Sequence, residues 1–407
     1  MTNLEKPYYE ELEYIKNSFC GIVLYDTESF NDDISSRDTI VYLCGTIEQN
    51  YEKIKLVKNK MICVIKELSD MGDFCPKSDN NLANYKLIGI GEVPININNV
   101  GVYFRNIFSS NKDYFNLINN VHQFQTLTES NKPDNAFRKG IYLTKVEEID
   151  HQIKFKLLRC STNFNGPTDN LRAIDNEILN QVNTLAESFF EEKIELNHVL
   201  AQIYENTSSG GQNKNSHRKA KIKEHSDKTK DMPRNGLIAF CSFYTDYSEN
   251  KFNDVRYKKS KDDFYDHCFN DVSVLTKLRF RLKNNLPLDP KLKKDFHITL
   301  YPNSVFILSL CMNRLYTHEI VPSILPIDKI PIRMGYVIRC SQTNAVFKNN
   351  QTYIDEKSVD TQLAEPDEDG VAKLKKLYFK ENSTNEIIDY DKFYFSLNQG
   401  DYKKPIL

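Results

Sequence analysis

His225-Ser226-Asp227 and His318 supply two imidazoles and one carboxylate. That is the donor set of a facial iron(II) site, which leaves coordination positions open for a keto acid and O2. Arg333 follows His318 by fifteen residues, and Arg339 lies six beyond it. A guanidinium downstream of the second histidine suits the far carboxylate of 2-oxoglutarate, which it grips as a planar two-pronged donor. These residues speak to a reaction type and say much less about a substrate.

Strands must position them. Residues two apart on a strand face the same way, so His225 and Asp227 share a wall if their segment stays extended. Arg333, Gly335, Val337 and Arg339 share one face, with Met334, Tyr336 and Ile338 on the other. Pointed inward, two guanidiniums need an anion between them, because unpaired buried charge is costly, and Gly335 leaves space for it. Pointed outward, they are ordinary surface charges. The same alternation puts Lys219, Lys221 and Lys223 on the face of His225, opposite Ala220 and Ile222. His122, His151, His198, His217, His267 and His297 read as surface or satisfied core residues.

At 407 residues the chain can bury a large core and carry two or three substructures. With 40% hydrophobic and 27% charged residues it is globular in composition. A net charge of -2 argues against strong overall attraction to nucleic acid and leaves room for a local basic patch. Nine cysteines without a CxxC pair point to free thiols in a reducing compartment. The acidic N-terminus has no apolar leader, and the longest apolar run, Val305–Met312, is far short of the roughly 18 residues that span a bilayer. The expectation is a cytoplasmic or nuclear protein with no membrane partner; the composition does not speak to oligomeric state.

Apolar runs at Gly21–Tyr25, Thr39–Cys44 and Lys60–Leu68, after a charged helical start, make residues 1–95 an N-terminal α/β region of unassigned role. Gly89-Ile90-Gly91 is a turn and no dinucleotide loop. Strands are expected at Val102–Phe104, Gly140–Thr144 and Ile153–Arg159. A supporting helix is expected over Asn170–Phe190, with Asp169 as N-cap. Further strands are expected at His198–Tyr204, Lys219–Glu224, Leu237–Tyr244, Leu275–Lys283, Phe296–Leu300, Ser304–Cys311 and Ile332–Cys340. In Leu278–Lys283 one face is apolar and the other basic. Thr207–Ser216 reads as a flexible linker and Asp246–Asp271 as a solvated insertion. Residues 346–407 form a C-terminal extension packed on the core, with Leu374–Phe379 and Phe393–Leu397 as two strands or a short helix and a strand. The fold class is mixed and β-dominated: a sandwich or jelly roll with supporting helices.

The ordered set of motifs resembles the AlkB-like branch of the 2-oxoglutarate/Fe(II) dioxygenases. His225-Ser226-Asp227 matches its HxD. Arg314-Leu315-Tyr316-Thr317-His318-Glu319-Ile320 matches the context of its second histidine, and Arg333 to Arg339 matches its paired-arginine motif. Gln202-Ile203-Tyr204 stands where the family has Asn-x-Tyr. The likeness covers about residues 190–345, and the domain it implies spans 96–345. It departs at Gln202, Gly335 and Val337, which replace Asn, Asn and Thr, and at Glu319, where Gly commonly follows the histidine. Two long insertions flank HxD. The resemblance implies a double-stranded β-helix core in which His225, Asp227 and His318 hold Fe(II). It implies that Arg333 and Tyr204 bind 2-oxoglutarate, with Arg339 near the cosubstrate or substrate and O2 as co-substrate. Asp231 stands near a base-contacting carboxylate of the family, in a shifted register.

The activity implied is oxidative demethylation or hydroxylation of a nucleobase in DNA or RNA. Lys214, His217, Arg218, Lys219, Lys221 and Lys223 lead into HxD, and Arg256, Lys258, Lys259 and Lys261 lie in the insertion. Both clusters suit phosphates and equally suit a solvated edge. The alternatives are a hydroxylase of a protein side chain or small molecule, and a non-catalytic binding module on the same fold. Retention of three ligands and two arginines weighs against the last.

Overall fold

Short apolar runs dominate the sequence, and in the computed structural model most of them are strands. The structure describes residues 6–29, 40–57, 60–72, 85–109, 111–128, 135–160, 163–191, 194–208, 217–245, 254–261, 263–284, 291–356, 359–390 and 393–407. Residues 209–216 of the expected linker and 246–253 of the expected insertion lie outside them, as do Lys214 and the side chains of His217 and Arg218. The chain divides into two units, Met1–Ile107 and Phe108–Leu407.

In the first unit, helix Lys6–Ser18 precedes four parallel strands laid side by side in chain order: Val23–Asp26, Val41–Thr46, Ile62–Asp70 and Tyr85–Ile88. Parallel strands are covered on both faces, so they read as continuous apolar runs. Val41, Leu43, Ile62 and Val64 form their core with Ile47 and Ile54.

The second unit is built on two antiparallel sheets. The large one runs Asn135–Thr144, His198–Tyr204, Arg333–Arg339, Leu237–Tyr244 and Ser304–Ser309, with Asp169–Asn170 added parallel to the first of these. Its central strands are buried on both faces, which is why LIAFCSFY shows no alternation. The small sheet runs Ile222–His225, Tyr316–Val321, Lys277–Leu282 and Asp295–Thr299. The sheets meet through aromatic rings: Phe240 of the large sheet packs on His318 at 5.2 Å, and Phe280 of the small sheet packs on Phe306 at 5.5 Å. Each fully buried aromatic contributes roughly 1.5–3 kcal/mol by leaving water. On the outer face of the small sheet, Arg279 and Arg281 pair with Asp295, Glu319 and Glu224, so the basic stripe is neutralised by carboxylates.

The far face of the large sheet carries helices Tyr114–Val121 and Ala173–Phe189. Tyr114 stacks on Phe243 at 5.3 Å, and the Tyr336 hydroxyl donates to Asp175 at 2.8 Å. The second helix starts three residues later than expected. Its N-cap is Arg172, whose backbone N–H donates to the Asp175 carboxylate at 2.8 Å. Asp169 is not the cap. It pairs with Leu143 in the sheet, and its carboxylate is taken by His122. Strand Ser304–Ser309 stops short of Cys311 because Ser309 caps a short helix, Leu310–Leu315.

A third sheet joins Gln152–Leu157 to Thr343–Lys348, Gln351–Glu356 and Val359–Gln362. Its hairpins turn at Asp150-His151 and Asn349-Asn350, all four with positive φ, as tight two-residue turns require. In the extension, Leu374–Phe379 belongs to a sixteen-residue helix, Glu368–Ser383. Asp367 caps it, and Leu374, Tyr378 and Glu381 are buried at helical spacing. Phe393–Leu397 forms no strand; Phe393 and Phe395 pack against that helix.

Candidate metal centre

His225 reaches the interior because its strand is irregular. Ile222 pairs with Ile320 and His225 with His318, so three steps on one strand face two on the other. This β-bulge turns His225 onto the face of Ile222. Plain alternation would have put it with Lys221 and Lys223, and that expectation is corrected here. The strand ends at His225; Asp227 lies in the irregular segment beyond it.

His225, Asp227 and His318 converge nonetheless, with one donor atom from each within 4.8 Å of the others. The Nε2 atoms of His225 and His318 lie 3.6 and 3.9 Å from the same oxygen, Asp227 Oδ1. Bonds of about 2.1 Å to one ion put neighbouring donors about 3 Å apart, so the three draw in by about one to two ångströms to share one. His225 Nδ1 lies 2.8 Å from the Lys223 carbonyl. Only an N–H can bond there, so that contact fixes the tautomer that frees Nε2 as a ligand.

The other oxygen of Asp227 belongs to Arg339, whose Nε and Nη2 both lie 2.9 Å from Oδ2. Burial pushes the Asp227 carboxyl up, but Arg339 outweighs it with help from the histidines, and the group is held well below the usual carboxylate range. Burial pulls His318 down to about 3, helped by His225 and Arg339, so its ring stays neutral. His198, beside Arg339, is likewise pulled down to about 3, first by burial. Phe240 and Phe280 flank the His318 ring and keep water from it.

Arg333 occupies the other end of the same strand face. Tyr204, Arg333 and Tyr244 stand abreast, as do Gln202, Gly335 and Ser242. The guanidinium lies over the Tyr204 ring at 4.1 Å and folds back across Gly335, where a Cβ would sit 3.0 Å from Nη1 and 3.2 Å from the ring. Gly335 thus makes room for Arg333 itself. Nη1 reaches Ser242 Oγ at 3.5 Å, while Nε and Nη2 are buried without a hydrogen-bond partner among the described residues. They border a pocket lined by Tyr204, Asn206, Ala220, Thr276 and Ile320. Two unsatisfied charged donors beside a pocket call for an anion. The Tyr204 hydroxyl donates to Gln202 Oε1 at 3.3 Å.

Asp231 is far from a substrate role. Arg159 takes both of its oxygens, through Nη2 at 2.6 Å, Nε at 3.1 Å and its backbone N–H at 2.6 Å, and Thr343 adds a fourth bond. Lys219 is engaged as well, donating to the Ser323 carbonyl. Asn313 is a site residue the sequence did not single out. Its side-chain oxygen accepts from the Asp227 N–H at 2.9 Å, and its amide donates back to the Asp227 carbonyl at 2.9 Å.

No family model matches the sequence, and neither does any curated protein. Among solved structures, the chain is similar to the non-heme alpha ketoglutarate dependent epimerase SnoN from nogalamycin biosynthesis. Identity is 8% over 61% of this chain and 81% of that one, with a TM-score of 0.33. It is also similar to OsALKBH1, at 12% identity over 59% and 97% with a TM-score of 0.30. An oxidoreductase of the 2OG-Fe(II) oxygenase family from Burkholderia pseudomallei shows 7% identity over 49% and 72%, with a TM-score of 0.24. With identities and scores this low, the functional reading rests on the site itself. No described helix is long and apolar enough to cross a membrane.

Proposed function

We propose that this protein is an Fe(II)- and 2-oxoglutarate-dependent dioxygenase of AlkB-like type on a jelly-roll core. The observation that carries the reading is the convergence of three donors on one point, with Asp227 Oδ1 facing two imidazole nitrogens. The donor set fits iron: two imidazole nitrogens and one carboxylate oxygen, with the second polar atom of His225 and of Asp227 already committed elsewhere. Arg333 fits the cosubstrate, with two buried donors left over beside a pocket.

His225, Asp227 and His318 would hold the metal, and Arg333 the far carboxylate of 2-oxoglutarate. When bound, the iron and keto acid together supply the means to hydroxylate an unactivated C–H bond with O2. The chain's own contribution is order and dryness. The Lys223 carbonyl fixes the His225 tautomer. Arg339 occupies one Asp227 oxygen, so the other is presented, ionised, in a single direction. Burial keeps His318 neutral across the physiological range, ready to bind metal without first losing a proton. Tyr204 supports the Arg333 guanidinium from below, and Gly335 lets it lie along the strand toward the metal.

The substrate in this reading is a nucleobase in DNA or RNA. Lys221 and Lys223 support it. Lys221 stands just before the strand that delivers His225 and Lys223 on it; both are exposed, and neither has an ion-pair partner among the described residues. The test is conversion of 2-oxoglutarate to succinate with Fe(II), alone and with methylated single-stranded DNA and RNA. Stimulation by a methylated oligonucleotide is expected. Turnover that no oligonucleotide stimulates shifts the reading to a protein or small-molecule hydroxylase. No turnover and no metal binding leaves a non-catalytic module.

A further inference from the structure

The segment that carries Asp227 is not held by a sheet. Its strand ends at His225, and the next peptides rely on side chains from elsewhere. The Ser226 N–H donates to Asn382 Oδ1 at 2.7 Å, and the Ser226 hydroxyl donates to the Tyr316 carbonyl at 3.0 Å. Two residues past Asp227, the Thr229 N–H donates to Glu381 Oε1 at 3.2 Å. Glu381 and Asn382 are neighbours near the end of helix Glu368–Ser383. That helix end is itself fixed: Lys283, just past a small-sheet strand, donates to the carbonyls of Glu381 and Thr384 at 2.7 and 2.9 Å. One turn back, the Tyr378 hydroxyl donates to the Arg159 carbonyl at 3.0 Å. Arg159 in turn holds Asp231, at the far end of the same segment.

We infer that Asn382 is a positioning residue of the metal centre. The C-terminal helix orients the His225–Ser226 peptide, which joins the two ligands, through the Ser226 N–H, and thereby tunes their mutual geometry and the affinity for metal. The inference rests on the iron reading above and adds to it a part of the chain outside the motif-bearing strands. A partner that orients a ligand from behind typically sets 10–100-fold in metal affinity. Asn313 holds the N–H and C=O of Asp227, so the Ser226 N–H and its one acceptor set the remaining freedom, the angle at which the chain passes from His225 to Asp227.

The test titrates metal-free full-length protein with Co(II), whose visible bands report coordination, and then with Fe(II) under anaerobic conditions. Four variants are compared with wild type, each with a melting curve: Asn382→Ala, Asn382→Gln, Asn382→Asp and Tyr378→Phe. Asn382→Ala is expected to weaken Co(II) binding about 10–100-fold and to alter its bands. Asn382→Gln keeps the amide but moves the acceptor out by one methylene, so it is expected to fold like wild type and still lose affinity. Asn382→Asp keeps the acceptor and is expected to bind within about threefold of wild type. Tyr378→Phe removes a hydrogen bond of the same helix that does not reach Ser226; it is expected to lower the melting temperature and leave affinity within about threefold. Wild-type affinity in both Asn382→Ala and Asn382→Gln overturns the inference. So does loss of affinity in Tyr378→Phe that matches the Asn382 variants in step with melting temperature, since the helix is then merely structural. If wild type itself binds neither metal, the iron reading fails first, which that titration alone shows.

Discussion

Arg339 spends two donors on one oxygen of Asp227 and leaves the other oxygen facing His225 and His318. The carboxylate is thereby made one-sided. Arg339→Met removes the countercharge and leaves a buried carboxylate unpaired, a change that typically costs 3–5 kcal/mol. The expected result is a lower melting temperature for the metal-free protein, with Fe(II) affinity reduced tenfold or more at neutral pH. Metal titration beside a melting curve checks both. Unchanged affinity would mean that Asp227 needs no such partner.

Arg333→Lys keeps a positive charge and loses the fork. Nε and Nη2 have no partner among the described residues, so little folding energy depends on them. The KM for 2-oxoglutarate is expected to rise about tenfold or more while the melting temperature moves by a few degrees at most. An unchanged KM puts the anion site elsewhere.

Gly335→Ala tests the same pocket from beneath. The added methyl would stand 3.0 Å from Arg333 Nη1 and 3.2 Å from the Tyr204 ring, too close for both to stay. The guanidinium or the ring has to shift by a few tenths of an ångström. A several-fold rise in the KM for 2-oxoglutarate is expected, with metal affinity unchanged. Loss of metal affinity instead would tie Gly335 to the triad.

His122 gives a pH dependence remote from the metal. It is fully buried between Asp169 at 2.7 Å and Asp175 at 2.8 Å. Burial alone would lower its pKa, but the two carboxylates outweigh it and raise it to about 9. An unfolded histidine titrates near 6.5. Its contribution to stability is therefore fully present below about pH 6.5 and is lost as pH rises through about 9. Chemical denaturation from pH 6 to pH 10 is expected to show stability falling by a few kcal/mol, and His122→Gln is expected to flatten that fall. A flat wild-type profile would contradict a charged His122.

Lys221 and Lys223 test the nucleic-acid reading. Changing both to Gln is expected to lower affinity for all oligonucleotides alike and to reduce the salt slope by roughly 1.4 for single strands. Turnover of 2-oxoglutarate without substrate should be unaffected. No change in affinity, or none to lose at low salt, favours a different substrate.

Much of the scaffold was legible. His198–Tyr204 and Leu237–Tyr244 were read to the residue, because strands buried on both faces are continuous apolar runs between turns. The donor set was legible too, since few residue types bind iron. Its support was not. Asn313 lies 86 residues from Asp227 in sequence and Asn382 156 residues from Ser226, and an asparagine bonded to a distant peptide leaves no periodic trace. Asp169 looked like a cap because it precedes a helical pattern, yet a buried histidine competes for the same carboxylate. Leu374–Phe379 fits either a strand or a short helix in sequence because its apolar residues are few and close, and the full helix around them shows only over four turns.

The extra residue between Ile222 and His225 lets this strand lose a residue in a way a regular strand cannot. Lys223 contributes only its backbone carbonyl to His225, and Glu224 turns outward to Arg281. Exchanging either side chain leaves the reading frame of the pleat intact. Deleting one of them removes the bulge, and two regular steps then still bring the histidine to the face of Ile222, opposite His318. In a library of single-residue deletions this short stretch would stand out as tolerant of losing a residue, whereas a deletion in a regular strand flips every side chain beyond it.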